Sequence, residues 1–375
     1  MKRLLFISNI TRKITSVAST SIVASKEMGI DFVHAANWNS AVEGQVQSDE
    51  RQYGIKIFHV GLSRSPYSFS NIKAYKQMCR LIRENHIDYI HCNTPVGGVL
   101  GRLAGKKCKV KRIIYQAHGF HFYKGSPKKN WIVFYTIEKF LARFTDAIIT
   151  MNSEDYEAAR HFKLRQNGKV YNVHGVGIDL SEYHGIQQFR DKKRRELGFR
   201  DDDVVLISMG DLIVRKNYRV AIEAISKCND TKLHYLICGQ GEELENLKLL
   251  AKQLNIEKQI HFLGFRTDIK ELLAAADIFL FTTLQEGMPR SMMEAMAAGL
   301  PCIASRIRGN IDLLDDNQGG YLCDPSDIDQ FVSAIKKCDV NTRHLFGDHN
   351  TNAIKQYDIH VVEEEIRKIY EEVFQ

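Results

Sequence analysis

Residues 278–301 read I-F-L-F-T-T-L-Q-E-G-M-P-R-S-M-M-E-A-M-A-A-G-L-P. The uncharged run Ile278–Thr282 has the make-up of a buried strand. A loop then reaches Pro289, which suits a first helical residue because the N–H it lacks would have no partner there. Apolar helical positions follow, and Gly299 and Pro301 stop the helix. Strand, short loop and helix in that order form the unit of a parallel sheet. Glu286 falls on the loop, and Glu294 lies more than a turn into the helix among Met292, Met293, Ala295 and Met296. A helix N-terminus after a strand is a ready anion site. A carboxylate on a mostly apolar helix needs hydrogen-bonding partners. Phosphate at the helix end and hydroxyls at the two carboxylates would meet both demands. The plainer alternative is a solvated glutamate at an ordinary junction, and the rest of the chain decides between them.

The same unit recurs on both sides of this stretch. Strands are expected at Leu4–Ser8, Phe32–Ala35, Ile55–Val60, Tyr89–Cys92, Arg112–Gln116, Ala147–Thr150 and Val170–Val173, with helical patterns such as Ile72–Asn85 and Trp131–Thr145 between them. A second series follows at Val204–Met209, Leu233–Cys238, Gln259–Phe262, Ile278–Thr282 and Cys302–Ser305. Such alternation predicts an α/β chain with two doubly wound parallel sheets in tandem. Gly175 and Gly177 supply a join. Ile359 to Phe374 carries Val362, Ile366, Ile369, Tyr370 and Val373 at helical spacing, a closing amphipathic helix.

With 375 residues the chain has room for two such domains. Its eight cysteines are scattered with no C-x-x-C pair, which argues for reduced thiols in the cytoplasm and against a zinc site. The apolar run Leu4–Ile7 is too short for a signal peptide, and no segment approaches the ~18 apolar residues of a membrane span. The net charge of +7 is unevenly placed: nine Lys and Arg, and no Asp or Glu, lie between Tyr89 and Ile137. Among them Lys106, Lys107, Lys109, Lys124, Lys128 and Lys129 stand near Phe120, Phe122, Tyr123, Trp131, Phe134 and Tyr135. Basic residues beside aromatics suit an anionic lipid surface. A solvated basic face is the alternative, and no recognisable nucleic-acid module accompanies the charge.

Open α/β sheets bind ligands beyond the C-terminal ends of their strands, and the remaining motifs fall there. Gly210-Asp211-Leu212-Ile213-Val214-Arg215-Lys216-Asn217 follows one strand, with a glycine for close backbone approach and two cations for phosphate oxygens. Cys238-Gly239-Gln240-Gly241 lacks the third glycine of a dinucleotide fingerprint and reads as a tight turn. Phe265 and Arg266 follow the next strand, where they could flank a base. In the first half, Thr94-Pro95-Val96-Gly97-Gly98 opens a helix, and His118 stands before Gly119 at a strand end. Asp201-Asp202-Asp203 precedes its strand, at the wrong end for a metal-diphosphate site, and no other carboxylate or histidine cluster has metal spacing.

Taken together these motifs resemble the bacterial retaining glycosyltransferases of family 4, which have two Rossmann-like domains (the GT-B arrangement) facing an interdomain cleft. E-x7-E at Glu286 and Glu294 and G-x-L-x-x-x-K-N at Gly210–Asn217 carry the family resemblance. Thr94–Arg102, Ala117–Gly125 and Thr145–Tyr156 are similar to its capsule and exopolysaccharide branch. The resemblance implies an N-terminal acceptor domain over 1–175, a nucleotide-sugar domain over 176–355, and a C-terminal helix over 356–375 packing back towards the first domain. It implies that Glu294 holds the ribose and Glu286 the donor sugar, with backbone at Gly287, Met288, Arg290, Ser291 and Met292 on sugar and diphosphate. Gly210, Arg215 and Lys216 would meet the diphosphate, His118 the transferred sugar, and Phe265 and Arg266 the uracil.

Two departures stand out. Asp211 occupies a place where many relatives have Arg, which leaves Arg215 as its substitute. Ser8–Lys13 replaces the glycines or His-Ile pair of the first loop. The implied activity is metal-independent transfer from a UDP-sugar, a substrate rather than a cofactor, to a polyprenyl-diphosphate-linked saccharide. The implied place is the inner face of the cell membrane. Lys106, Lys107, Lys109, Lys124, Lys128, Lys129 and Trp131 would lie on the membrane and acceptor side, and no nucleic acid is involved. A UDP-N-acetylglucosamine 2-epimerase-like enzyme is the alternative of similar architecture.

Overall fold

The computed structural model describes residues 1–375, which divide into two compact units, Met1–Gly177 with Ile359–Gln375, and Ile178–Asp358. Each unit is built on one parallel sheet. The first sheet comprises β1 (Arg3–Ile10), β2 (Asp31–Asn37), β3 (Lys56–His59), β4 (Tyr89–Asn93), β5 (Arg112–Gln116), β6 (Ala147–Thr150) and β7 (Lys169–Asn172). Their order is β3-β2-β1-β4-β5-β6-β7. The second comprises β8 (Val204–Met209), β9 (Leu233–Cys238), β10 (Ile260–Gly264), β11 (Ile278–Phe281), β12 (Cys302–Ser305) and β13 (Gly320–Cys323), in the order β10-β9-β8-β11-β12-β13. In both sheets the order runs outward from the first strand, then reverses. This is the doubly wound, Rossmann-like arrangement, and its ligand crevice forms where the order reverses. That point lies between β1 and β4 in one unit and between β8 and β11 in the other.

Alternation along the strands explains why both faces of the second sheet are covered. Val205, Ile207, Phe279 and Phe281 enter one apolar cluster, while Leu206, Ile278 and Leu280 enter the other. In the first unit, the helix Ile359–Phe374 covers a sheet face carrying Tyr89 and His91. Phe374 stacks on Tyr89 with centroids 4.1 Å apart, and the Tyr370 hydroxyl lies 2.6 Å from His91 Nδ1. Val362, Ile366, Ile369, Tyr370 and Val373 are all buried, as a helical apolar stripe requires.

Three elements differ from the sequence reading. β13 was not anticipated, because it opens on Gly319-Gly320, which reads as a turn; a Cβ on Gly320 would stand 1.8 Å from the Cys302 carbonyl oxygen. The single helix expected over Trp131–Thr145 is instead Lys128–Asn130, a π-helical turn at Trp131–Tyr135, and Thr136–Ala142. A π turn inserts one residue per turn and rotates the side chains that follow. Pro289 sits at the N-cap position, with the helix starting at Arg290, so it stands one residue earlier than expected.

Candidate active site

The loops after β8 and β11, the pair flanking the reversal of the second sheet, bring the two strongest motifs together. Lys216 Nζ donates to Glu286 Oε1 at 2.8 Å, and the Thr283 hydroxyl reaches the same oxygen at 2.8 Å. Arg215 Nη1 donates to the Gln285 carbonyl at 2.5 Å and stands 3.5 Å from Glu286 Oε1. Both cations therefore converge on the Glu286 loop, while Asp211 is exposed. Gly210 adopts φ +151°, and Tyr218 backs it by donating its hydroxyl to the Gly210 carbonyl at 3.0 Å. The neighbouring Gly239 is a packing residue: a Cβ there would lie 1.9 Å from the Gly210 oxygen.

On the helix Arg290–Ala297, Arg290 Nε pairs with Glu294 Oε1 at 2.9 Å, one turn apart. Tyr183 lies close by; burial and then the Glu294 charge raise its pKa. Ser291 is half-buried, and so are Gly287 and Met288 in the preceding loop. The Met292 side chain is buried in the core, and its N–H, expected to face the diphosphate, bonds the Pro289 carbonyl at 3.1 Å. Phe265 is 72% exposed, as an unstacked platform would be. Arg266 is held by Asp268 through two bonds of 2.8 and 2.6 Å, a pairing that pulls the Asp268 pKa down.

Sequence reasoning passed over Arg308. This residue is 5% exposed and donates Nε to the Glu286 carbonyl at 3.1 Å. The signal was present as a basic-glycine run, Arg306-Ile307-Arg308-Gly309, after β12, the strand next to β11. A cavity of about 1060 Å³ opens elsewhere, beside Asp201–Val204, Asp277 and Pro301 at the N-terminal ends of the strands. Its Arg190 and the adjoining Arg194 are tied to Asp277 and to backbone carbonyls, so the chemistry concentrates at the opposite end of the sheet. Asp202 pairs with Lys232, and Asp203 accepts the Arg200 N–H.

In the first unit, the reversal point is also polar. Thr94 is held at φ +65°, an uncommon conformation for a non-glycine residue. Its Oγ1 and the Asn9 Oδ1 are buried and accept no bond from the protein. His118 follows β5, and burial lowers its pKa to about 4, which makes it a neutral imidazole near pH 7. Of the basic set, Lys124, Lys128 and Lys129 are exposed, and Lys107 lies on the helix Pro95–Cys108, which Lys109 ends. Lys106 instead covers the Phe144 ring at 3.6 Å. Trp131 donates Nε1 to the Tyr123 carbonyl and remains 40% exposed.

Two Rossmann-like domains, with basic side chains gathered on an E-x7-E loop at a strand end, define a nucleotide-sugar-dependent transferase class. Comparison with known proteins agrees. Residues 189–355 match the model for glycosyl transferases group 1, and residues 15–152 match the glycosyl transferase 4-like model. The chain is 34% identical over 317 residues to the putative glycosyltransferase EpsD of Bacillus subtilis, covering 83% of this chain and 81% of that one. It is 30% identical over 279 residues to the Escherichia coli UDP-Gal:alpha-D-GlcNAc-diphosphoundecaprenol alpha-1,3-galactosyltransferase, covering 73% and 72%. Crystal structures show the same GT-B fold: HepE of Anabaena in complex with UDP superposes with a TM-score of 0.79 at 20% identity, over 99% of this chain and 100% of that one. The chain belongs to the group 1, family 4-like glycosyltransferases, and it is a glycosyltransferase.

Proposed function

We propose that the enzyme transfers a sugar, with retention of anomeric configuration and without a metal, from a UDP-sugar to a polyprenyl-diphosphate-linked saccharide during cell-surface polysaccharide synthesis. The observation that carries this reading is the convergence of Lys216 and Arg215 on the Glu286 loop beside the switch point of the second sheet. Transfer breaks the bond between the anomeric carbon and the diphosphate oxygen, and the electron pair leaves on the diphosphate. Fixed cations and amides aimed at that oxygen lower the barrier. Lys216 and Arg215 supply the charge, and Gly210 gives the backbone room to approach. Glu286 orients hydroxyls of the donor sugar and Glu294 the ribose. The acceptor hydroxyl enters on the face the diphosphate leaves, and the departing phosphate oxygen takes its proton. His118, neutral near pH 7, hydrogen-bonds a hydroxyl of the transferred sugar. Asn9 and Thr94 offer acceptors to hydroxyls of the saccharide that receives it.

A lipid-linked acceptor needs a membrane surface. No helix is long and apolar enough to cross a membrane. The segment 128–143 is nonetheless suited to lie on one: Trp131, Ile132, Val133, Ile137 and Phe140 are exposed, and Lys128, Lys129, Lys139 and Arg143 flank them without an exposed acid. The pattern supports peripheral association with an anionic inner leaflet.

Lys216→Ala tests the chemistry. It is expected to lower kcat/KM for the donor by about 100-fold, near 3 kcal/mol, while EDTA leaves the native enzyme's rate unchanged. Native-like activity in the variant, or loss of rate in EDTA, would overturn the reading.

A further inference from the structure

The Glu286 loop is held at its backbone as well as its carboxylate. The Gln285 carbonyl is engaged by Arg215 and the Glu286 carbonyl by Arg308. A trans peptide is planar, with its C=O and N–H on opposite sides. Arg308 therefore turns the Glu286 carbonyl towards the 306–310 loop and turns the Gly287 N–H to the other side. The 306–310 loop is itself rigid. Asp312 accepts the Gly309 N–H at 3.0 Å, and the Asn310 amide donates to the Ser305 carbonyl at 2.8 Å. It also presses on the next peptide along, Gly287–Met288: Gly309 has φ +82°, and a Cβ there would stand 2.4 Å from the Gly287 oxygen.

We propose that Arg308 is a positioning residue for sugar transfer, one that fixes the plane of the Glu286–Gly287 peptide so that its N–H serves the donor's diphosphate–sugar junction. The inference rests on the donor-site reading above and adds to it a residue that acts through the backbone of the Glu286 loop. A group that aims an amide at charge developing on the leaving oxygen affects the transition state more than the bound ground state. Its loss is therefore read in kcat rather than in affinity for UDP.

The experiment compares Arg308→Met, Arg308→Lys and Gly309→Ala with Lys216→Ala. For each it measures kcat and KM for the donor, the UDP dissociation constant by calorimetry, and the unfolding midpoint. Arg308→Met is expected to lose at least tenfold in kcat with UDP affinity within threefold, and Arg308→Lys to recover part of that loss. Gly309→Ala displaces the adjoining Gly287–Met288 peptide, and with it Gly287 itself, and is expected to show the same selective loss in kcat, even if Arg308→Met fails to fold. Kcat within threefold of native in both Arg308→Met and Gly309→Ala would overturn the proposal, as would loss of UDP affinity in proportion to kcat. Lys216→Ala separates the two failures. If it is inactive while the other variants are normal, only the role of Arg308 falls; if it is fully active, the donor-site reading falls.

Discussion

At Glu286, one carboxylate oxygen takes bonds from both Lys216 and Thr283, with Arg215 3.5 Å away. A diphosphate entering this loop would meet that negative charge as well as the cations beside it. The carboxylate therefore opposes binding of UDP itself even where it orients the sugar of the complete donor. Glu286→Gln is expected to bind UDP several-fold more tightly, by removing a like charge at close range, and to transfer sugar at least tenfold more slowly. Calorimetry with UDP checks the first half; weaker binding in the variant would contradict it. Glu286 and Lys216 drew attention in the sequence because charged residues at strand ends are conspicuous. Arg308 did not, because it acts through a backbone carbonyl on a neighbouring loop, and nothing in the spacing from 286 to 308 reveals that β11 and β12 lie side by side. The Met292 N–H was equally opaque: it bonds the Pro289 carbonyl, which counting residues from Pro289 does not reveal.

Among the elements, those with β-branched, apolar runs were legible with ends correct to a residue or two. β5, β6, β8, β9 and β12 occupy the ranges their sequences indicate. β13 escaped because its first residue must be glycine to clear the Cys302 carbonyl, and a glycine pair carries no strand signal. The segment after Pro127 escaped more consequentially. Helical periodicity foresees the helix but not the π turn at Trp131–Tyr135. Beyond that turn, Glu138 faces inward to meet Arg102 at 2.7 Å, an ion pair with no exposure on the arginine side. That buried pair anchors one face of the segment, and Ile132, Val133, Ile137 and Phe140 occupy the outer one. Phe140→Ser combined with Ile132→Ser is expected to reduce co-sedimentation with anionic vesicles at least fivefold. It should leave activity on a soluble acceptor analogue unchanged and the unfolding midpoint little changed, since both side chains are at least half exposed. Undiminished vesicle binding would show that this face is not the one that meets lipid.

For the molecule as a whole, each unit carries its own core, and their responses to acid should differ. In the first unit, burial lowers the pKa of His34 and His91 to about 3 and of His118 to about 4. His34 and His91 lie against Phe6, and His91 also meets Tyr370 of the closing helix. Unfolded, each histidine would titrate near 6.5. The folded form therefore binds fewer protons than the unfolded form below that pH, and stability falls as pH falls. The contribution is complete above about pH 7 and is lost progressively from 6.5 down towards 4 for His118 and 3 for the other two. By pH 5.5, His34 and His91 together should have removed about 3 kcal/mol, and His118 acts in the same direction. Carboxylates remain ionised across most of this window, so the histidines dominate it. In the second unit, His234 and His261 are also lowered by burial, but both are only partly enclosed. Differential scanning calorimetry between pH 7.5 and 5.5 is expected to show the first unit's transition moving down, with uptake approaching about three protons on unfolding at the lower pH. A midpoint that stays level over that range would mean that these rings are protonated in the folded chain.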